Sequence, residues 1–129
     1  MNILLHICCS NCSLYPVKIL KEEGRSLTGY WFNPNIHPVE EYRSRLDSVK
    51  KLSNKWNIDM LYHEEYTPAD YFRMFDITDE NLINNICSNG SSGWNDLNIP
   101  PFPERCRACY MLRLEKTANQ AKEQGFDAF

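Results

Sequence analysis

The chain has no glycine-rich phosphate loop. Nothing in it resembles Gly-x-Gly-x-x-Gly or a P-loop, so nucleotide hydrolysis has no motif here. No apolar run reaches the length of a membrane span. The opening Met1-Asn2-Ile3-Leu4-Leu5 lacks a basic flank and is too short for a signal peptide, which leads to the expectation of a cytoplasmic protein. Basic charge is not in surplus either. With a formal net charge of −3 the whole molecule does not attract polyanions, and any nucleic acid must be met by a local patch. The 129 residues suit one domain with a real core, and their composition is that of a globular protein rich in aromatics.

Cysteine is what the chain does have, and its placement is unusual. Cys8, Cys9 and Cys12 stand near the start, Cys106 and Cys109 near the end, and Cys87 alone. Cys9–Cys12 and Cys106–Cys109 are both Cys-x-x-Cys pairs, a spacing that lets two thiolates point at one metal ion or cluster. In the cytoplasm such clusters are metal ligands or catalytic thiols more often than disulfides. Two pairs far apart in sequence suggest a site assembled by the fold.

Residues 2–7 form a short, mostly apolar run that reads as a buried strand. The small polar turn of Cys8 to Ser13 follows. Ser13 is then a plausible N-cap for a helix ending at Gly24, with Pro16 in its first turn and Val17, Ile19 and Leu20 as apolar contacts. Residues 27–32 predict a second strand, stopped by the stiff Asn33-Pro34-Asn35-Ile36-His37-Pro38. Val39, Tyr42, Leu46, Val49, Leu52 and Trp56 recur at intervals of three and four, which predicts a helix over residues 39–56. A third strand is expected at 58–62, and short helices at 68–75 and 79–86. Residues 88–104, rich in Ser, Gly, Asn and Pro and holding Trp94 and Phe102, predict a long irregular loop. A second strong helix is expected over 105–124, with Met111, Leu114, Ala118 and Ala121 inward and Gly125 as its closing glycine. Asp127-Ala128-Phe129 starts what reads as another strand.

Strands alternating with helices predict an α/β fold with a parallel sheet, as a single domain over 1–129. In such sheets the reactive crevice lies beyond the carboxyl ends of the strands, where the Cys8–Cys12 turn and the Asn33–Pro38 loop are expected. Cys106 and Cys109 are placed by this reading in the first turn of their helix, where unpaired N–H groups favour anionic sulfur, with Arg105 and Arg107 adding positive charge. Four thiolates at one spot call for a bound metal. An iron–sulfur cluster, a closed structural zinc, and a thioredoxin-like dithiol built on Cys9 and Cys12 all fit the spacing. Cys87 reads as a loop or core thiol, His6 as a packed core histidine, and His37, in the loop after a strand, as a site candidate.

Taken together, three stretches resemble the QueH family of epoxyqueuosine reductases. They are Leu4-Leu5-His6-Ile7-Cys8-Cys9-Ser10-Asn11-Cys12; Phe32-Asn33-Pro34-Asn35-Ile36-His37-Pro38 with Glu41-Tyr42 and Arg45; and Glu104-Arg105-Cys106-Arg107-Ala108-Cys109-Tyr110 running on to Gly125-Phe126-Asp127. The resemblance implies a Rossmann-like, HUP-type α/β sandwich and the reduction of epoxyqueuosine to queuosine in tRNA. It implies a 4Fe–4S cluster held by Cys8, Cys9, Cys106 and Cys109, and an additional iron for which Cys12 is a candidate ligand. Partners are then a tRNA carrying epoxyqueuosine and an electron donor that the sequence does not name, with no membrane. Cys12, His37 and Tyr110 are the candidate catalytic residues on this reading. Asn35, Arg45, Arg105 and Arg113 are the candidate substrate-binding ones. Members of the family continue past Gly-Phe-Asp-Ala-Phe, so a chain shortened at its C-terminus is expected. Cys87 has no counterpart in the pattern.

Overall fold

The structure, a computed structural model, describes residues 1–89 and 99–129. The chain forms β1 (Asn2–His6), α1 (Ser10–Glu22), β2 (Ser26–Trp31), α2 (Val39–Trp56), β3 (Asp59–Tyr62), α3 (Pro68–Arg73), α4 (Glu80–Asn89) and α5 (Glu104–Gln124). It divides into two compact units. The first comprises Met1–Phe32, Ser44–Glu64 and Arg113–Phe129, the second Asn33–Arg43 and Glu65–Leu112.

The first unit holds a three-stranded sheet in the order β1-β2-β3. Both pairings are parallel, with Leu5 beside Gly29 and Gly29 beside Met60. Parallel neighbours need a crossover, and α1 and α2 provide it, which gives the α/β class the alternation of elements predicts. The parallel sheet with its crossover helices is consistent with a Rossmann-like fold. Leu5, Leu27 and Met60 project from one sheet face into a core shared with Val17 of α1 and Leu52 of α2. On the other face Tyr30 is buried, near Glu123 of α5. The remaining edge of β1 is taken by the last residues. Ile3 bridges Ala128 in parallel, and the backbone N–H of Leu4 donates to Ala128 O at 3.0 Å. Asp127 adds its carboxylate, which accepts from Asn2 N at 2.7 Å.

Local physics explains where the helices stop. After α1 the N–H of Gly24 bonds Lys21 O and that of Arg25 bonds Leu20 O. After α5 the N–H of Gly125 bonds Lys122 O and that of Phe126 bonds Ala121 O. Each is a Schellman turn whose glycine takes a positive φ, 72° and 76°. The stripe expected on α2 is real: Tyr42, Leu46, Val49 and Leu52 are buried.

Three sequence expectations need correction here. Helix α1 begins earlier than read, and its N-cap is Cys9, not Ser13. Ser13 is buried inside the helix and donates its hydroxyl to Ser10 O at 2.8 Å. The predicted loop at 88–104 begins too early, since Ser88 and Asn89 belong to α4. Its part at 90–98, with Trp94, lies outside the described residues. On α5, Met111 and Leu114 are exposed, at 60% and 48%. The buried residues of that helix are Thr117 and Ala121. Apolar spacing placed Ala121 inside as expected but misplaced Met111 and Leu114, because Thr117 fills an interior position once its hydroxyl is satisfied by Arg113 O at 2.7 Å.

The second unit has its own core. Tyr71, Phe72, Ile83, Ile86 and Cys87 are buried together, with Cys109 and Leu112 of α5 packed against them. Cys87 is the core thiol expected, 7% exposed. No described helix is long and apolar enough to cross a membrane.

Candidate functional site

In the first unit the site is a turn between β1 and α1. Cys9 takes an extended backbone, φ −160°, and stands where α1 has unbonded N–H groups. Its sulfur accepts from the backbone N–H of Cys12 at 3.3 Å. A cysteine thus does what serine or aspartate does at other helix starts. Burial works against the Cys9 thiolate. Hydrogen bonds from the Cys12 thiol, the Cys12 N–H and the Cys8 thiol outweigh it, with help from positive Arg45, and the Cys9 thiol lies below its usual value. Cys12 moves the other way. It donates to Cys9 and feels the Cys9 charge, so its thiol is raised. The three sulfurs line a cleft of about 60 Å³ with His6, Ser13 and Pro16. His6, beside them, has its Nε2 2.9 Å from Phe32 O.

In the second unit Cys106 and Cys109 lie one turn apart on α5, so both sulfurs share a helix face. Both are half-buried. With α5 starting at Glu104, only Cys106 is in the first turn, a correction for Cys109. The amides of Arg105 and Arg107 are bonded to Pro101 O and Pro103 O, so the helix start offers fewer open donors than its sequence suggests.

Also in the second unit, His37 sits in an aromatic box. It stacks on Phe72 at 5.0 Å between ring centroids and tilts against Tyr71 at 5.5 Å. Its Nδ1 lies 2.9 Å from the Tyr66 hydroxyl, which also donates to Ile36 O at 2.7 Å. Burial lowers the His37 pKa to about 4, so the ring is neutral at physiological pH. Nearby in sequence, Asn35 Oδ1 is buried without a hydrogen-bond partner among the described residues, as is Thr67 Oγ1. A buried acceptor left this way costs about 1–3 kcal/mol unless something else meets it.

The structure therefore gathers Cys8, Cys9, Cys12 and Arg45 in one unit. It places Cys106 with Cys109, and encloses His37, in the other. Tyr110 is 59% exposed on α5, while Arg105 and Arg113 are half-buried along that helix. None of the six cysteines is in a disulfide. Among the described residues no group of three or more His, Cys, Asp or Glu is arranged to hold a metal ion. Sequence reading missed Tyr66, the partner of His37. Its neighbours Glu64-Glu65 and Thr67-Pro68 carry no chemical motif, and only the fold brings it to residue 37.

The profile of the family described as "Epoxyqueuosine reductase QueH" matches residues 3–89 and 96–129. The chain belongs to the QueH family. Three curated proteins named epoxyqueuosine reductase QueH illustrate the similarity. The one from Dehalococcoides mccartyi is 33% identical over 128 residues, which is 99% of this chain and 58% of the relative. That of Streptococcus pyogenes is 31% identical over 133 residues, 99% of this chain and 45% of the relative. That of Staphylococcus epidermidis is 34% identical over 136 residues, 99% and 49%. The chain spans about half the length of the QueH proteins it matches. All the cysteine-bearing stretches quoted above fall inside the QueH match.

Proposed function

We propose that this chain acts in the reduction of epoxyqueuosine to queuosine in tRNA, in the cytoplasm, with Cys8, Cys9, Cys106 and Cys109 as ligands of a 4Fe–4S cluster. One observation carries the reading within a QueH chain: the sulfur of Cys9 caps α1 and its thiol is lowered, the state a metal ligand needs. The donor set fits the group. All four thiols are half-buried, in no disulfide, and near helix starts or arginines. A four-iron cluster asks for one thiolate per iron, rather than four around a single ion.

When bound, the cluster would supply low-potential electrons, delivered by an unidentified donor, and an iron centre for the epoxide oxygen. The chain's own residues do the rest. Cys12, exposed beside Cys9, is the residue assigned to an additional iron, which would have to displace the proton its raised thiol holds, or to substrate. Asn35 offers a buried amide oxygen for a donor on the modified base. Neutral His37 and exposed Tyr110 handle protons and hydrogen bonds. Arg45, Arg105 and Arg113 meet phosphate, as RNA loops are bound through backbone contacts and splayed bases.

Anaerobic reconstitution with iron and sulfide tests the reading. The wild-type chain should gain visible absorption with about four irons and four sulfides per chain, as the cluster type requires. Cys106→Ala should lose it. Zinc without labile sulfide in protein isolated anaerobically, or unchanged iron and sulfide in Cys106→Ala, overturns the ligand set.

The unequal Cys9 and Cys12 thiols favour a second reading, a thiol–disulfide oxidoreductase with Cys9 as the attacking thiolate. That reading requires disulfide reductase activity to survive removal of both Cys106 and Cys109. The reductase reading requires no such activity.

A further inference from the structure

Hydrogen-bond accounting in the second unit assigns a protonation site. Tyr66 has one proton to give and two lone pairs. A backbone carbonyl can only accept, so the 2.7 Å contact with Ile36 O takes the Tyr66 proton. The 2.9 Å contact between Tyr66 and His37 Nδ1 is then a bond only if Nδ1 carries hydrogen and donates. A competing arrangement has the Cys87 thiol donate to a bare Nδ1, but that sulfur is 3.9 Å away. As a thiolate Cys87 would compete for the Tyr66 proton, but burial raises the Cys87 thiol and keeps it protonated. The ring cannot turn to swap nitrogens cheaply, because it is stacked on Phe72 and flanked by Tyr71.

We propose that Tyr66 is a positioning residue that locks His37 in the Nδ1–H tautomer, so that Nε2, itself buried in this structure, is the ring atom left to accept a hydrogen bond or proton from any O–H or N–H group that reaches it. Its role toward ligand rests on the proposal that His37 belongs to the QueH site. The assignment narrows that proposal. His37 is an acceptor there, and any proton delivered to the epoxide oxygen comes from another group.

The tautomer is directly measurable. In the uniformly 15N-labelled chain, two-bond proton–nitrogen correlation spectra distinguish the tautomers of a neutral histidine. His37 is identified among the three histidines by its disappearance in His37→Gln. The wild type at pH 7 should show His37 as the Nδ1–H form, and Cys87→Ala should leave it so. Tyr66→Phe should release it toward the Nε2–H form. An Nε2–H ring in the wild type overturns the proposal whether or not Tyr66→Phe folds. So does an unchanged tautomer in a folded Tyr66→Phe. Steady-state kinetics of the cluster-loaded enzyme test the other half. Tyr66→Phe should lower kcat about tenfold with little change in KM, the sign of an acceptor lost where charge develops. A correct tautomer with unchanged kcat removes His37 from the site and leaves the tautomer assignment standing.

Discussion

The backbone N–H of Cys12 donates to the sulfur of Cys9 at 3.3 Å, so the first thiol of the pair caps the helix that carries the second. This contact makes the two cysteines unequal. Cys9 is favoured as thiolate and Cys12 as thiol. In metal-free, reduced protein, iodoacetamide labelling followed by peptide mass spectrometry should show Cys9 reacting at lower pH than Cys12. The order should hold even though Cys12 is the more exposed. If both sulfurs turn on at one pH, the cap does not operate.

The outward face of α5 supplies a stability test. Met111→Ala and Leu114→Ala remove exposed apolar groups and should each change unfolding free energy by about 0.5 kcal/mol or less. Ile86, fully buried among Tyr71, Phe72 and Ile83, should cost about 2–5 kcal/mol as alanine. Urea unfolding separates the two cases. A loss at Leu114 as large as that at Ile86 would mean that this face is packed.

Gly29 lies at the centre of the sheet with Met60 and Ile7 over it. A Cβ there would collide with Met60 Sδ and stand 2.8 Å from Ile7 Cδ1. Gly29→Ala should therefore destabilise by about 1–3 kcal/mol through overpacking. Gly125→Ala should cost about 1–2 kcal/mol for a different reason, its φ of 76° in otherwise open space. Pairing each with Met60→Ala distinguishes them: the smaller side chain should relieve Gly29→Ala and leave Gly125→Ala unchanged.

His37 should make stability depend on pH. Its folded pKa is about 4, below its ordinary value of 6.5. The unfolded chain then binds the proton first as pH falls. The contribution is whole above pH 6.5 and is lost between there and about pH 4, on the order of 3 kcal/mol. Comparing urea midpoints of wild type and His37→Gln from pH 7 to pH 4 isolates it. The difference between the two proteins should shift in favour of the variant as the pH drops. A constant difference would mean that His37 is not shielded from water.

Much of this molecule is legible in its sequence. The helix over 39–56 was readable to its ends, because one face repeats its apolar residues and charged side chains fill the other. The second closing glycine, at Gly125, was legible because few residues tolerate its backbone angle. Where reading failed, tertiary context had outvoted local pattern. Ser13 looks like a cap by composition, yet a cysteine does the capping. Met111 and Leu114 look like core by spacing, yet Thr117 is the residue inside.

The sequence alone determined the alternation of strands and helices, the parallel sheet, and which thiols are on offer. These depend on periodicity and residue chemistry, which are local. Only the tertiary structure decided which thiol is held as an anion, which face of α5 meets water, and that Tyr66 would meet His37 from 29 positions away. Such pairings turn on distances of a few tenths of an ångström between groups remote along the chain, and no spacing rule encodes them.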